Sequence, residues 1–154
     1  MKDYSMNARA DHSAGILPLY QDHILLGKES RGWSAFGGKS EEGETPHETA
    51  IREFTEETAG IFGGVQLDMT TSSLVKTVTP KGNPFFLYLI ELPCISEVNS
   101  IFQEKRKVTK NRREKEKKEI KWVEISKVKN LRLSTAFAAD WDAVRGVIKN
   151  MQHL

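Results

Sequence analysis

The sequence predicts a single α/β domain. Three observations carry that expectation. Short runs rich in β-branched, leucine and aromatic residues recur at 14–20, 85–92 and 120–125. A capped helix pattern stands between the first two runs, and a second helical stripe closes the chain. Strand and helix patterns that alternate along one chain belong to an α/β architecture. At 154 residues the chain suits one hydrophobic core. The whole of 1–154 therefore reads as one domain without linker or repeat, with 1–12 as a loosely ordered start.

The elements follow in order. Residues 14–20 and 23–28 are apolar, part at Gln21-Asp22, and read as two strands or one bent pair. Residues 31–40, RGWSAFGGKS, read as a glycine-rich loop. Thr45-Pro46-His47-Glu48 has the form of a capping box with Pro at the first helical position. Ala50, Ile51, Phe54 and Thr58 supply that helix with a face for a core, and Gly60 supplies its stop. Phe62-Gly63-Gly64 reads as a turn, and 66–78 as strand. Pro80-Lys81-Gly82-Asn83-Pro84 is a further turn signal. The run 85–92, FFLYLIEL, has the nearly continuous apolar character of a buried strand, and 120–125 reads as another. Phe137, Trp141, Val144, Ile148 and Met151 fall at i, i+4, i+7, i+11 and i+14, after a possible N-cap at Ser134. A helix packed on a sheet accounts for that stripe better than a cofactor box does.

Composition narrows the function classes. Hydrophobic residues make up 38% and charged residues 29%, as expected of a soluble and fairly polar protein. A formal net charge of +2 gives no overall field for a nucleic acid. The one cysteine, Cys94, excludes an internal disulfide and fits a reducing compartment, so a cytoplasmic location is expected. Cys94 itself reads as a structural residue at a strand end or as a reactive thiol. Residues 1–12 lack the apolar core of a secretory signal, and no apolar run is long enough to span a membrane. His12, His23, His47 and His153 show no metal-ligand spacing.

The chemistry concentrates between Gly38 and Gly60, in GKSEEGETPHETAIREFTEETAG. Glu53, Glu56 and Glu57 lie at i, i+3 and i+4, so a helix gathers three carboxylates on one face. Like charges that close need a counter-charge, and hard oxygen donors suit Mg²⁺ or Mn²⁺. Arg52 lies four residues from both Glu48 and Glu56 and can pair with either. A solvated acidic face with ordinary helix pairs is the plainer reading of the same residues. It leaves the Gly37-Gly38 pair before the helix unexplained, as well as three acids crowded around a single Arg.

At these residues the chain resembles the Nudix hydrolase family. Gly38, Glu44, Arg52, Glu53, Phe54, Glu56 and Glu57 stand at matching positions of the family's box. The end departs from it. Ala59 stands where the box has Gly and Gly60 where it has a hydrophobic residue, as after a one-residue insertion. The resemblance implies the Nudix fold, a mixed sheet between helices in an α/β/α sandwich. It implies an Mg²⁺-dependent hydrolase, with Mn²⁺ as a possible substitute, whose ion is held by Glu53, Glu56, Glu57 and the backbone carbonyl of Gly37. Arg52 then orients the glutamates, and Glu44 reaches the ion through water or is a plain loop acid. A catalytic base is expected from the helix or a later loop, where Glu119 is the first candidate and Glu116 the second. Each reads equally as a solvated charge.

Substrate signals are weaker. The stretch from Trp33 to Lys39 is similar to the W-x-x-F-G-G-K loop of hydrolases of oxidised purine nucleoside triphosphates, although Ser34 replaces their Asn. On that resemblance Trp33, Phe36 and Lys39 are candidate substrate contacts. Trp33 can stack on a base or fill a core. Lys39 and Lys28 can meet phosphate or water. The segment from Lys105 to Lys121 holds ten of the 23 basic residues, interrupted by Glu114, Glu116 and Glu119. It reads as a solvated helix or loop, or as an RNA contact. The box is also similar to that of mRNA-decapping members, which keeps RNA as a possible partner. The leading expectation is hydrolysis of a nucleoside diphosphate-linked compound, a nucleoside triphosphate first. The alternatives are hydrolysis of an mRNA cap or other large polyphosphate, and a non-catalytic binding module of the same fold. The intact trio of Glu53, Glu56 and Glu57 speaks against the last. Oligomeric state is not legible.

Overall fold

The computed structural model describes residues 11–63, 67–108 and 116–151. Seven strands form one mixed sheet. They are β1 (Ser13–Tyr20), β2 (His23–Glu29), β3 (Gly32–Ser34), β4 (Phe36–Lys39), β5 (Ser73–Val78), β6 (Pro84–Glu91) and β7 (Glu119–Glu124). The main path runs β3-β2-β1-β6-β5, with β4 paired to β1 and β7 to β2. Among these strands, β1 and β6 run parallel and the other pairs run antiparallel. Among the described residues, three α-helices complete the fold: α1 (Pro46–Glu57), α2 (Val98–Val108) and α3 (Thr135–Met151).

The period-2 alternation of the strands sorts their apolar side chains onto two faces. Ala14 and Ile16 of β1, Leu25 of β2 and Phe86, Tyr88 and Ile90 of β6 face one core. Ala50 and Phe54 of α1 and Phe102 of α2 close that core. Leu17, Leu19, Ile24, Leu26, Leu87 and Leu89 face the other, closed by Phe137, Trp141, Val144 and Ile148 of α3. This is the expected α/β/α sandwich. Among the described residues, no helix is long and apolar enough to cross a membrane.

Several local expectations are corrected. Residues 31–40 are not a continuous loop; they hold β3 and β4, too short and glycine-rich to show strand periodicity. Residues 67–72 do not continue a strand. Asp68 accepts from the Thr70 N–H at 3.0 Å and caps a 3₁₀ turn at Met69–Thr71, so the strand begins only at Ser73. His12 is not part of a loose start: it is 1% exposed, hydrogen-bonds Thr49 Oγ1 through Nε2 at 2.9 Å and sets its ring edge on Phe86. Cys94 lies past the end of β6 and is exposed. In the basic segment, Lys105, Arg106 and Lys107 end α2, residues 109–115 lie outside the described part, and Lys117 is buried rather than solvated.

Candidate active site

Helix α1 is positioned at both ends by its own sequence. Thr45 Oγ1 accepts from the Glu48 N–H at 3.3 Å, and the Glu48 carboxylate accepts from the Thr45 N–H at 2.9 Å. This reciprocal cap, with Pro46 behind it, satisfies two free donors of the first turn and is worth about 1 kcal/mol. It takes Glu48 away from Arg52. At the other end the Thr58 hydroxyl donates to the Phe54 carbonyl, and the Gly60 N–H reaches the Thr55 carbonyl at 2.9 Å. Ala59 carries φ 54° and Gly60 φ 70°. The helix therefore ends at Glu57 with Thr58 as its cap, and the left-handed residue after the cap is Ala59, one before the expected Gly60.

The core-facing stripe of α1 includes two acids. Glu53 and Glu57 are buried beside Ala50 and Phe54. They face β4, and the two glycines there let them approach. The Gly37 N–H donates to Glu57 Oε1 at 2.7 Å. A Cβ on Gly38 would stand 2.5 Å from the carboxyl carbon of Glu53, so any side chain there would push the acid away.

Arg52 gathers the remaining acids. It donates to both oxygens of Glu44 at 2.7 and 3.0 Å, to Glu53 at 2.9 Å, to Glu56 at 3.4 Å and to the Lys39 carbonyl at 3.0 Å. The two-pronged pairing with Glu44 fits the planar guanidinium. It holds the Glu44 carboxyl down at about 2 and raises Arg52 further above its ordinary range. Glu44 also accepts from the Thr49 hydroxyl and the Glu41 N–H, so it serves as the anchor of Arg52.

Three carboxylates from separate elements converge in front of β4. Oxygens of Glu29, at the end of β2, Glu57 and Glu116 lie within 4.8 Å of one another. Burial raises the Glu57 carboxyl well above its usual range; Lys117 opposes the rise, and Glu53 and Glu116 add to it. Burial raises Glu53 as well, against the pull of Arg52. An open cleft of about 280 Å³ adjoins the cluster, lined by Gly37, Gly38, Lys39, Ser40, Glu41, Glu53 and Glu116. Acids held together at a desolvation cost, with hard oxygen donors and close glycine backbone, fit a small divalent cation of the Mg²⁺ type.

The expected site residues divide accordingly. Gly37, Arg52, Glu53, Glu57 and Lys39 come together, and Glu56 joins them through Arg52. Phe36 does not: it is 0% exposed and packs edge-on against Phe54. Trp33 is 6% exposed in the core beneath α3, with the Lys28 and Lys121 ammonium groups 6.0 and 5.5 Å from its ring. Glu119 stands on β7 opposite Lys28 and is not in the acid cluster, whereas Glu116 is. Sequence reasoning missed Glu29 and Lys117. The only signal for Glu29 was an acid at the end of an apolar strand just before the glycine-rich stretch. Lys117 had none, since it stood in a run of surface-type lysines.

Comparison with known proteins agrees with this geometry. The family model described as NUDIX domain matches residues 10–144. No curated protein matches the chain. Among solved structures, the chain is similar to the MutT protein of Aliivibrio salmonicida and Vibrio cholerae, with 20% identity, 91% of this chain and 97% of that one covered, and a TM-score of 0.56. It is also similar to a C. elegans Ap4A hydrolase, with 17% identity, coverage of 92% and 99%, and a TM-score of 0.57. A third is the Nudix hydrolase RenU of M. smegmatis, with 19% identity, coverage of 90% and 86%, and a TM-score of 0.55. At such identities the structures show the shared fold. The match over most of the chain shows the family: this protein belongs to the NUDIX family and is a pyrophosphohydrolase of nucleoside diphosphate derivatives.

Proposed function

We propose that the protein uses Mg²⁺, with Mn²⁺ as a substitute, to cleave the diphosphate linkage of a nucleoside triphosphate. The observation that carries this reading is the convergence of Glu29, Glu57 and Glu116 oxygens beside Glu53 and an open, glycine-edged cleft. Glu53, Glu57 and the Gly37 carbonyl would hold the cation, with Glu29 and Glu56 as further donors. When bound, the ion neutralises phosphate charge and lowers the pKa of a coordinated water.

The chain's own residues do the rest. Arg52 locks Glu53 and Glu56 in place while Glu44 locks Arg52. Glu116, exposed at the cleft, is the acid we assign as proton acceptor for the attacking water, in place of Glu119. Lys39 and Ser40 line the cleft on the side of β4, where a phosphate can be met. With Trp33 and Phe36 inside the two cores, the base must be recognised by other residues, and the triphosphate supplies most of the binding.

A panel of nucleoside triphosphates, dinucleoside polyphosphates and capped RNA, assayed with Mg²⁺ for phosphate and pyrophosphate release, tests the substrate. Turnover of a nucleoside triphosphate is expected. Turnover of capped RNA alone would replace that substrate, and cation binding without turnover of any of them would move the substrate to another nucleoside diphosphate derivative.

A further inference from the structure

Lys117 is 1% exposed, and strands β2, β3 and β4 shape its place. Its Nζ donates to the Ser34 hydroxyl at 2.6 Å and to the Ala35 carbonyl at 3.2 Å. It lies 3.8 Å from a Glu29 oxygen and 5.6 Å from the centre of the Phe36 ring. Its stem runs past Gly27, where a Cβ would stand 2.7 Å from Lys117 Cδ. A lysine is rarely buried without partners, because its ammonium loses the water that solvates its charge. Here the partners are the Ser34 hydroxyl, the Ala35 carbonyl and Glu29, one of the three acids of the cluster.

We propose that Lys117 is a fixed internal cation of the acid site. It balances Glu29, with which it pairs at 3.8 Å, when no divalent ion is present, and it weakens the ion's binding when one enters. The inference rests on the metal reading of the site and adds to it a residue outside the box. A point charge beside an incoming dication repels it through a poorly screened medium. The lysine therefore exchanges some cation affinity for a site that stays assembled while empty. The hydroxyl of Ser34 and the carbonyl of Ala35 give the ammonium its hydrogen bonds and hold it in place. Lys117 is a positioning residue; nothing in the reaction requires it to touch substrate.

The test is Mn²⁺ binding by electron paramagnetic resonance, together with thermal melting in EDTA and in saturating Mn²⁺. Wild type, Lys117→Met and Ser34→Ala are compared. Lys117→Met keeps the stem and removes the charge. It is expected to melt lower than wild type in EDTA, to bind Mn²⁺ at least about tenfold more tightly, and to recover most of its deficit when Mn²⁺ is added. A variant that folds only with Mn²⁺ is the extreme form of that result. Ser34→Ala removes an anchor without touching the charge and should lose the same melting temperature in both buffers. Unchanged or weaker Mn²⁺ binding by Lys117→Met, a deficit equal in both buffers, or failure to fold in both, would overturn the inference and leave a purely structural lysine. Wild type that binds no Mn²⁺ would overturn the metal reading, and this inference with it.

Discussion

The backbone N–H of Gly37 donates to Glu57 Oε1 across 2.7 Å and joins β4 to α1 at the centre of the site. That one bond holds a buried carboxylate against β4, and it explains why the site needs both the glycine pair and the helix. It also fixes how Glu57 should respond to change.

Glu57→Gln keeps the shape and can still accept from Gly37. It removes a charge whose ionised form is disfavoured by burial. Metal-free stability should therefore hold or rise at neutral pH, while turnover falls by roughly 10² or more as cation affinity is lost. Melting curves in EDTA beside steady-state rates check both halves. A large loss of stability with unchanged turnover would assign Glu57 to the fold alone.

Stability and pH give a second outcome. Glu53 and Glu57 have folded-state pKa values above the usual carboxylate value, burial being the main cause. The folded state then binds more protons than the unfolded chain, and stability falls as pH rises above the ordinary value. Glu44 has the opposite sign: held down at about 2, it stabilises above the ordinary value and that support is lost in acid. Metal-free protein should therefore melt lower at roughly pH 8 than at roughly pH 5.5. Mg²⁺ should raise the melting temperature more at the higher pH, where the acids are free to bind it. Melting scans in EDTA and in Mg²⁺ across that range check this; an equal increment at both ends would contradict it.

The end of α1 offers a third. Ala59 sits at φ 54°, a conformation that costs a side chain about 1 kcal/mol and costs glycine little. Ala59→Gly should therefore stabilise the protein by about 0.5–1 kcal/mol without changing turnover, measured by denaturant unfolding. A destabilised variant would mean that the Ala59 methyl, which packs against the α1 core, outweighs the backbone strain.

Trp33 provides a fourth. With the ring buried beneath α3, Trp33→Ala should cost about 3–5 kcal/mol and leave KM nearly unchanged in whatever protein remains folded. A raised KM with an unchanged melting temperature would return Trp33 to the substrate.

Local rules made some of this molecule legible in sequence and hid the rest. Thr45, Pro46 and Glu48 announced a helix start because a cap is written within four residues. Val144 and Ile148 announced α3 because a stripe repeats every turn. The acids of α1 could be read as neighbours for the same reason. Glu29 could not, since only the pairing of β1 with both β2 and β4 brings the end of β2 to Glu57. Phe36 read as a loop aromatic because β4 is four residues long, too short to show that alternation points it inward. Lys117 was lost among lysines of a solvated kind; its burial follows from Gly27, Ser34 and Ala35, which lie far away in the chain.

The most direct measurement is hydrolysis of a nucleoside triphosphate by wild type, Glu53→Gln and Glu57→Gln, each with Mg²⁺ and then with excess EDTA. The account predicts turnover by wild type in Mg²⁺, its loss in EDTA, and a collapse in both variants while their melting curves stay cooperative. Near-native hydrolysis by both variants, or a wild-type rate that EDTA leaves unchanged, would contradict it.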